Sequence, residues 1–211
     1  MIELPINQDS QVKMASYMRD LFPFNGVGAK KRHELEKLAW QEIKDMPADE
    51  LLIEIKRYYE KTPREYQYLA IDLAVRAKRK WSRDNILEFL QLSQTKMWWD
   101  SIDAWRKLFS EYIKVNPEEF EWISSLFKNH EIFWMRRIGI ILQLGFKDET
   151  DIEYLTEMIM YDKDTEEFFI QKAIGWALRD YSKTNRDWVY NFLSTTQLSK
   201  LAQDEASKYL K

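Results

Sequence analysis

The run Lys96-Met97-Trp98-Trp99-Asp100-Ser101-Ile102-Asp103 places two indole rings and two carboxylates within eight residues. On a helix, Trp99 and Asp103 are four apart and share a face. A broad π surface beside a fixed negative charge suits recognition of a cation, or of a sugar that acquires positive charge as it reacts. The same residue types have an ordinary use. A tryptophan pair at a helix start is commonly core, and an aspartate there commonly caps the helix or complements its dipole. On the residues alone both readings stand.

Other chemistries find little support. The absence of cysteine removes disulfides, thiol nucleophiles and thiolate metal sites. His33 and His130 are the only histidines and lie far apart in sequence, which excludes a histidine-rich metal centre and disfavours a Ser-His-Asp site. Gly26-Val27-Gly28 is a lone Gly-x-Gly with no preceding strand and no third glycine, so it is read as a turn before a helix. Glu118-Glu119 fall in a first helical turn, where the dipole favours acids. His130 is read as capping or flanking a helix.

The elements that must carry these residues are helical. In 211 residues there are only five glycines and five prolines, too few for the turns of a β-rich fold. Apolar residues make up 45% of the chain and charged residues 32%, enough for a core under a solvated surface. Apolar spacing predicts twelve helices, over 9–22, 30–44, 48–61, 64–79, 84–92, 100–115, 118–128, 131–144, 149–160, 165–182, 186–193 and 197–208. Pro47, Pro63 and Pro117 sit where a first helical turn tolerates proline.

A repeat underlies the pattern. Trp99, Trp134 and Phe169 recur at intervals of 35, each opening a helix rich in Ile, Leu and Ala, and Arg64-Glu65-Tyr66-Gln67-Tyr68-Leu69 is a fourth copy upstream. A helical period in the thirties means stacked helix pairs. The chain is therefore read as all-α: one domain over 1–211, an α-solenoid of HEAT-like helix-pair repeats with a concave face.

The net charge of −3 gives no global attraction to nucleic acid, but charge is uneven. Residues 148–167 hold nine acids and one lysine, whereas basic clusters occur at Lys30-Lys31-Arg32, Arg76 to Arg83, Arg106-Lys107 and Arg136-Arg137. No leader pattern and no membrane-length apolar run is visible, so a cytoplasmic protein is expected.

Three segments together resemble a known family. They are Lys96 to Asp103; Arg136-Arg137 before Ile138-Gly139-Ile140-Ile141-Leu142-Gln143-Leu144; and, most specific, Glu167-Phe168-Phe169-Ile170-Gln171-Lys172-Ala173-Ile174-Gly175-Trp176-Ala177-Leu178-Arg179-Asp180-Tyr181-Ser182-Lys183-Thr184-Asn185. Tyr17-Met18-Arg19 and Phe22-Pro23-Phe24-Asn25-Gly26-Val27 add weaker support. The chain resembles the AlkD-like, HEAT-like-repeat DNA alkylation-repair glycosylases over residues 14–205. The resemblance implies excision of cationic alkylpurines of the 3-methyladenine and 7-methylguanine type, read from the backbone side without a tight base pocket. It implies Asp103 as the catalytic carboxylate, with Trp99 and Trp176 packing against the lesion's sugar and backbone. Arg137 would grip a phosphate near the lesion, and Lys172, Arg179 and Arg136 are further candidates for phosphate contact. Double-stranded DNA carrying alkylated purines is the implied partner, with no cofactor, metal or membrane, and the protein is expected to be a monomer.

The chain also departs from the family. Members carry a further helical segment ahead of the Tyr17 region, where only residues 1–13 stand here. The usual Gly-x-x-x-Pro-x-Arg turn reads Gly26-Val27-Gly28-Ala29-Lys30-Lys31-Arg32, with lysine at the proline position. A shortened N-terminal arm with a weaker grip on the duplex is expected. The alternative function is thus a divergent paralogue without catalysis, binding DNA weakly, or a protein-binding solenoid.

Overall fold

The computed structural model describes residues 1–210, and among these the chain is helical with no strand. Twelve α-helices follow in order: α1 Gln8–Tyr17, α2 Ala29–Ile43, α3 Ala48–Glu60, α4 Arg64–Arg76, α5 Arg83–Ser93, α6 Trp99–Val115, α7 Phe120–Ser125, α8 Phe133–Ile140, α9 Ile152–Asp162, α10 Phe168–Tyr181, α11 Arg186–Thr195 and α12 Lys200–Ala206. They divide into two compact units, Met1–Lys96 and the chain from Met97 onward. No helix among the described residues is long and apolar enough to cross a membrane.

Local chemistry sets many of the boundaries. Ser82 and Asn85 form a reciprocal capping box at α5. Asp151, Asn185 and Ser199 each accept a backbone N–H at the starts of α9, α11 and α12. Pro47 and Pro63 precede α3 and α4 in extended conformation, and His130 Nδ1 accepts from Ile132 N at 3.0 Å ahead of α8. In the first unit α3 and α4 pack as a pair, burying Leu51, Ile55, Tyr58, Leu69 and Leu73. Buried Glu65 accepts from the backbone N–H groups of Asn25, Gly26 and Val27, which fixes the turn before α2.

Several helices are shorter than their sequence pattern, α1, α7 and α8 among them. α1 stops at Tyr17 rather than residue 22, because Arg19 and Asp20 turn left-handed and Pro23 disfavours a helical Phe22. α7 spans only Phe120–Ser125, preceded by a tight turn at Pro117–Glu119 and followed by left-handed Asn129. α8 ends at Ile140. Beyond it the chain tightens into three-residue turns, Leu142 N to Gly139 O and Leu144 N to Ile141 O, until Gly145 at φ +80° stops it.

The 35-residue period has a polar counterpart. Gln67 donates to the carbonyls of Tyr59 and Lys61, at the end of α3. Gln171 donates to the carbonyls of Asp162, Lys163 and Thr165, at the end of α9. Arg136, 35 residues before Gln171, donates to the carbonyls of His130 and Glu131. One side chain near the start of each of these helices thus satisfies carbonyls that the preceding helix or turn leaves open. The aromatic partner in the repeat differs by one residue from the sequence pattern. It is Trp98, rather than Trp99, whose ring packs edge-on to Trp134 and Phe169, at 5.8 and 5.2 Å between centroids.

Candidate functional site

In the second unit α6, α8, α10 and α12 pack in succession. Trp98 precedes α6 in extended conformation and sends its ring into the Trp98–Trp134–Phe169 cluster; Trp134 and Phe169 close it at 4.9 Å. Edge-to-face pairs of this kind are each worth about 0.5–1.5 kcal/mol beyond area burial. With Trp98 held there, α6 begins at Trp99, which is half-buried, and Asp103 follows one turn later on the same face.

Asp103 meets Arg137 of α8. Arg137 Nε donates to Asp103 Oδ1 at 2.8 Å and Nη2 donates to Oδ2 at 2.9 Å, a two-pronged pairing that fixes the carboxylate plane. Arg137 Nη1 donates to the Phe169 carbonyl at 2.5 Å, so one guanidinium ties together α6, α8 and the first turn of α10. Arg137 is 5% exposed, whereas the Asp103 side chain keeps 18% of its surface. The carboxylate is thus immobilised on a side chain that keeps part of its surface toward solvent.

The electrostatics pull in two directions. Burial pushes the Asp103 carboxyl above its ordinary value, against the hydrogen bonds and charge of Arg137 and the charge of Arg106; Asp100 adds to the upward push. Arg106 lies one turn further along α6, and its Nε is buried without a hydrogen-bond partner. Burial lowers its own value, opposed chiefly by the field of Asp103 and Asp180. Asp103 therefore sits in a desolvated place beside two guanidiniums, one bonded and one acting through space.

Trp176 lies on α10, seven residues after Phe169 and so two turns along the same side, about 10 Å further by helical rise. Lys172 and Arg179 flank it at four before and three after. Both donate to Glu205, whose carboxylate also accepts from Lys208 at 2.9 Å. Gly175 lets the two helices approach: a Cβ there would lie 2.4 Å from the Glu205 Cβ and 2.8 Å from the Ala202 carbonyl oxygen.

Of the residues singled out in the sequence, the structure brings Asp103 and Arg137 into direct contact and puts Lys172 and Arg179 on one carboxylate. Arg136 is placed elsewhere. Its Nε bonds both oxygens of buried Asp162, and its Nη1 serves the two turn carbonyls, so its charge is spent within the fold. Asp103 is bonded across to Arg137 of α8 rather than to the basic residues Arg106 and Lys107 of its own helix. Glu205 and the Phe169 carbonyl carry no motif; only Gly175 ahead of Trp176 signals that another helix comes close.

A cavity of about 530 Å³ lies beside the C-terminal ends of α8 and α10, lined by Gln143, Lys147, Asp180, Tyr181, Lys183 and Thr184 but by none of Trp99, Asp103, Arg137 or Trp176. Among the described residues, one cluster has metal-ligand types together. His33, Glu36 and Asp72 bring one ligand atom each within 4.8 Å of one another, in the first unit. Its carboxylates are already matched by cations: Arg76 bonds Glu36 at 2.9 Å and Arg32 lies 3.6 Å from Asp72.

Comparison with known proteins bears on the family and the fold. Residues 3–210 match the family described as DNA alkylation repair enzyme. A solved structure described as a predicted DNA alkylation repair enzyme from Enterococcus faecalis is 44% identical, with a TM-score of 0.97 over 100% of this chain and 99% of that one. The crystal structures of AlkD2 and of smu.31 from Streptococcus mutans are each 17% identical and share the fold, with TM-scores of 0.70 and 0.69 over 96% of this chain and 100% of theirs. A search of curated proteins gives no match. With its helical repeat and a family match over nearly all its length, the chain belongs to the DNA alkylation repair enzyme family.

Proposed function

We propose that this protein is a DNA glycosylase that releases cationic alkylpurines, such as 3-methyladenine and 7-methylguanine, from duplex DNA. The observation that carries the reading is the Asp103 carboxylate, held in one plane by buried Arg137 on a partly exposed side chain, a turn away from Trp99.

The chemistry needs little more. An N3- or N7-alkylated purine already bears a positive charge. Heterolysis of its bond to C1′ sends the electron pair to the base, which leaves neutral without a protonation step. Positive charge moves to the deoxyribose, and a water then adds at C1′ and loses its proton. A fixed carboxylate stabilises the developing sugar cation and orients that water. A carboxylate offers about four acceptor directions, and Arg137 occupies two, leaving others for sugar and water. Three of the roughly five N–H donors of Arg137 are spent on Asp103 and Phe169, and with 5% of its side chain exposed its part is to hold the carboxylate in place. Trp99 and Trp176 supply flat surfaces for the sugar and backbone of the damaged nucleotide, and Lys172 and Arg179 supply positive charge on the α10 face.

A second reading, weak DNA binding without base release, is favoured by the net charge of −3, since phosphate neutralisation supplies much of DNA affinity. Incubation with a duplex containing 7-methylguanine, at enzyme excess and low salt, separates the two. Free base supports the glycosylase, and intact substrate on a bound duplex supports the second reading. Neither release nor binding removes both.

A further inference from the structure

We propose that Glu205 is a positioning residue that gathers Lys172, Arg179 and Lys208 into one platform for phosphates of the duplex backbone beside Trp176, with Lys208 as a third contact. The proposal rests on the DNA-binding reading above and adds to it a carboxylate that acts through its neighbours.

Glu205 is 6% exposed, and three cations from two segments converge on it: Lys172 and Arg179 from α10, Lys208 from the turn after α12. A buried carboxylate needs one good cationic partner. Here three cations surround one acid, leaving two positive charges in excess at a single spot. That crowding opposes itself: burial, then Lys208 and Arg179, lower the Lys172 ammonium from its ordinary value. Mutual repulsion of this kind is relieved by an incoming anion. The cationic groups are reachable, with side chains 39%, 24% and 52% exposed at Lys172, Arg179 and Lys208.

The backbone is arranged to permit the cluster. Gly175 gives up a side chain where the Glu205 Cβ passes, immediately before Trp176. Glu205 therefore crosses α10 between Lys172 and Arg179, and its charge draws both inward on the Trp176 side. Without that anchor, two long side chains and Lys208 would each lose rotamer freedom separately on meeting DNA.

The test turns on the sign of a charge change. Glu205→Gln removes a negative charge from a basic surface, so unstructured electrostatics predicts tighter DNA binding. Positioning predicts weaker binding. Affinity for an undamaged duplex is measured by fluorescence anisotropy from about 50 to about 200 mM salt for wild type, Glu205→Gln, Lys172→Ala, Arg179→Ala and Lys208→Ala. Each alanine variant is expected to flatten the slope of log K against log salt by about one, and Glu205→Gln to flatten it by at least that much despite its added positive charge. Thermal melts establish that the variants are folded; Lys208→Ala, exposed and near the end of the chain, reports on the platform even if Glu205→Gln is unstable. A wild type that binds, with slopes flattened by Lys172→Ala and Arg179→Ala, but with Glu205→Gln binding as tightly or more tightly, or with Lys208→Ala unchanged, overturns the inference and leaves the DNA reading in place. A wild type that fails to bind duplex at low salt overturns both.

Discussion

Removing Arg137 tests the geometry of the candidate site most sharply. Arg137→Met keeps the length and apolar stem but deletes two charge-assisted hydrogen bonds to Asp103 and one to the Phe169 carbonyl. Breaking a buried ion pair by deleting one partner costs about 3–5 kcal/mol. Asp103 keeps 18% of its side-chain surface, which places the expected loss near the lower end, about 3 kcal/mol. For a chain of this size that lowers Tm by about 6–12 °C. The loss should also depend on pH. With Arg137 gone, burial still raises the Asp103 carboxyl and its main opposing influence is absent, so its folded value rises further. A carboxyl raised on folding binds protons more tightly in the native state, so its ionisation lowers stability as pH rises from the unfolded value, near 4, through the folded one. The Tm deficit of Arg137→Met relative to wild type should therefore be smaller at about pH 5 than at about pH 8, measured by thermal circular dichroism. In an Asp103→Asn background the same substitution should cost less, by about 1–3 kcal/mol of coupling. A deficit of under about one degree, or one that stays flat across that pH range with no coupling, would show that Arg137 does not govern Asp103.

Other perturbations reach further parts of the account. Base release by the wild type should fall on acidification through the value of Asp103, which burial sets above the ordinary carboxylate range; a single-turnover pH profile with its acid limb at or below the ordinary value would contradict this. Gly175→Ala drives a Cβ to 2.4 Å from Glu205 and should cost about 1–3 kcal/mol by overpacking, read as a lower denaturant midpoint; an unchanged midpoint would mean that α10 and α12 do not approach as closely as described. Glu65→Ala leaves three buried or half-buried backbone N–H groups without their acceptor and should cost about 3 kcal/mol or more; urea melts showing less than about 1 kcal/mol would place that turn under other control.

Much of this architecture is legible in the sequence. The scarcity of glycine and proline, the apolar period and the proline positions locate all twelve helices, because helix burial and capping are local matters. The 35-residue period also brings Asp103 and Arg137 within reach of each other, since they are one period apart less one residue. Arg136 shows where residue type misleads. Beside Arg137 it reads as part of a basic patch, yet the same period aligns it with Gln171, whose work is to satisfy turn carbonyls. The aromatic position of the repeat falls on Trp98 rather than Trp99 for a similar reason: adjacent residues at a helix start face different directions, and the extended backbone at Trp98 turns that ring toward Trp134 and Phe169. The shortening of α8 and the Glu205 cluster are out of reach of sequence pattern. The first depends on successive turn hydrogen bonds ending at Gly145, and the second on contact between helices about thirty residues apart with a glycine as its only local trace.

The central claim is that the fixed carboxylate of Asp103 stabilises a sugar cation as a charged base departs. Its direct test is release of 7-methylguanine from a duplex under single-turnover conditions, wild type against Asp103→Asn, with duplex affinity measured on both. The account predicts release by the wild type and a loss of roughly 10²–10³ in rate for the variant, the scale of losing one preorganised electrostatic group, with duplex affinity retained. Equal rates in the two proteins, or no release by a wild type that binds the duplex, would contradict it.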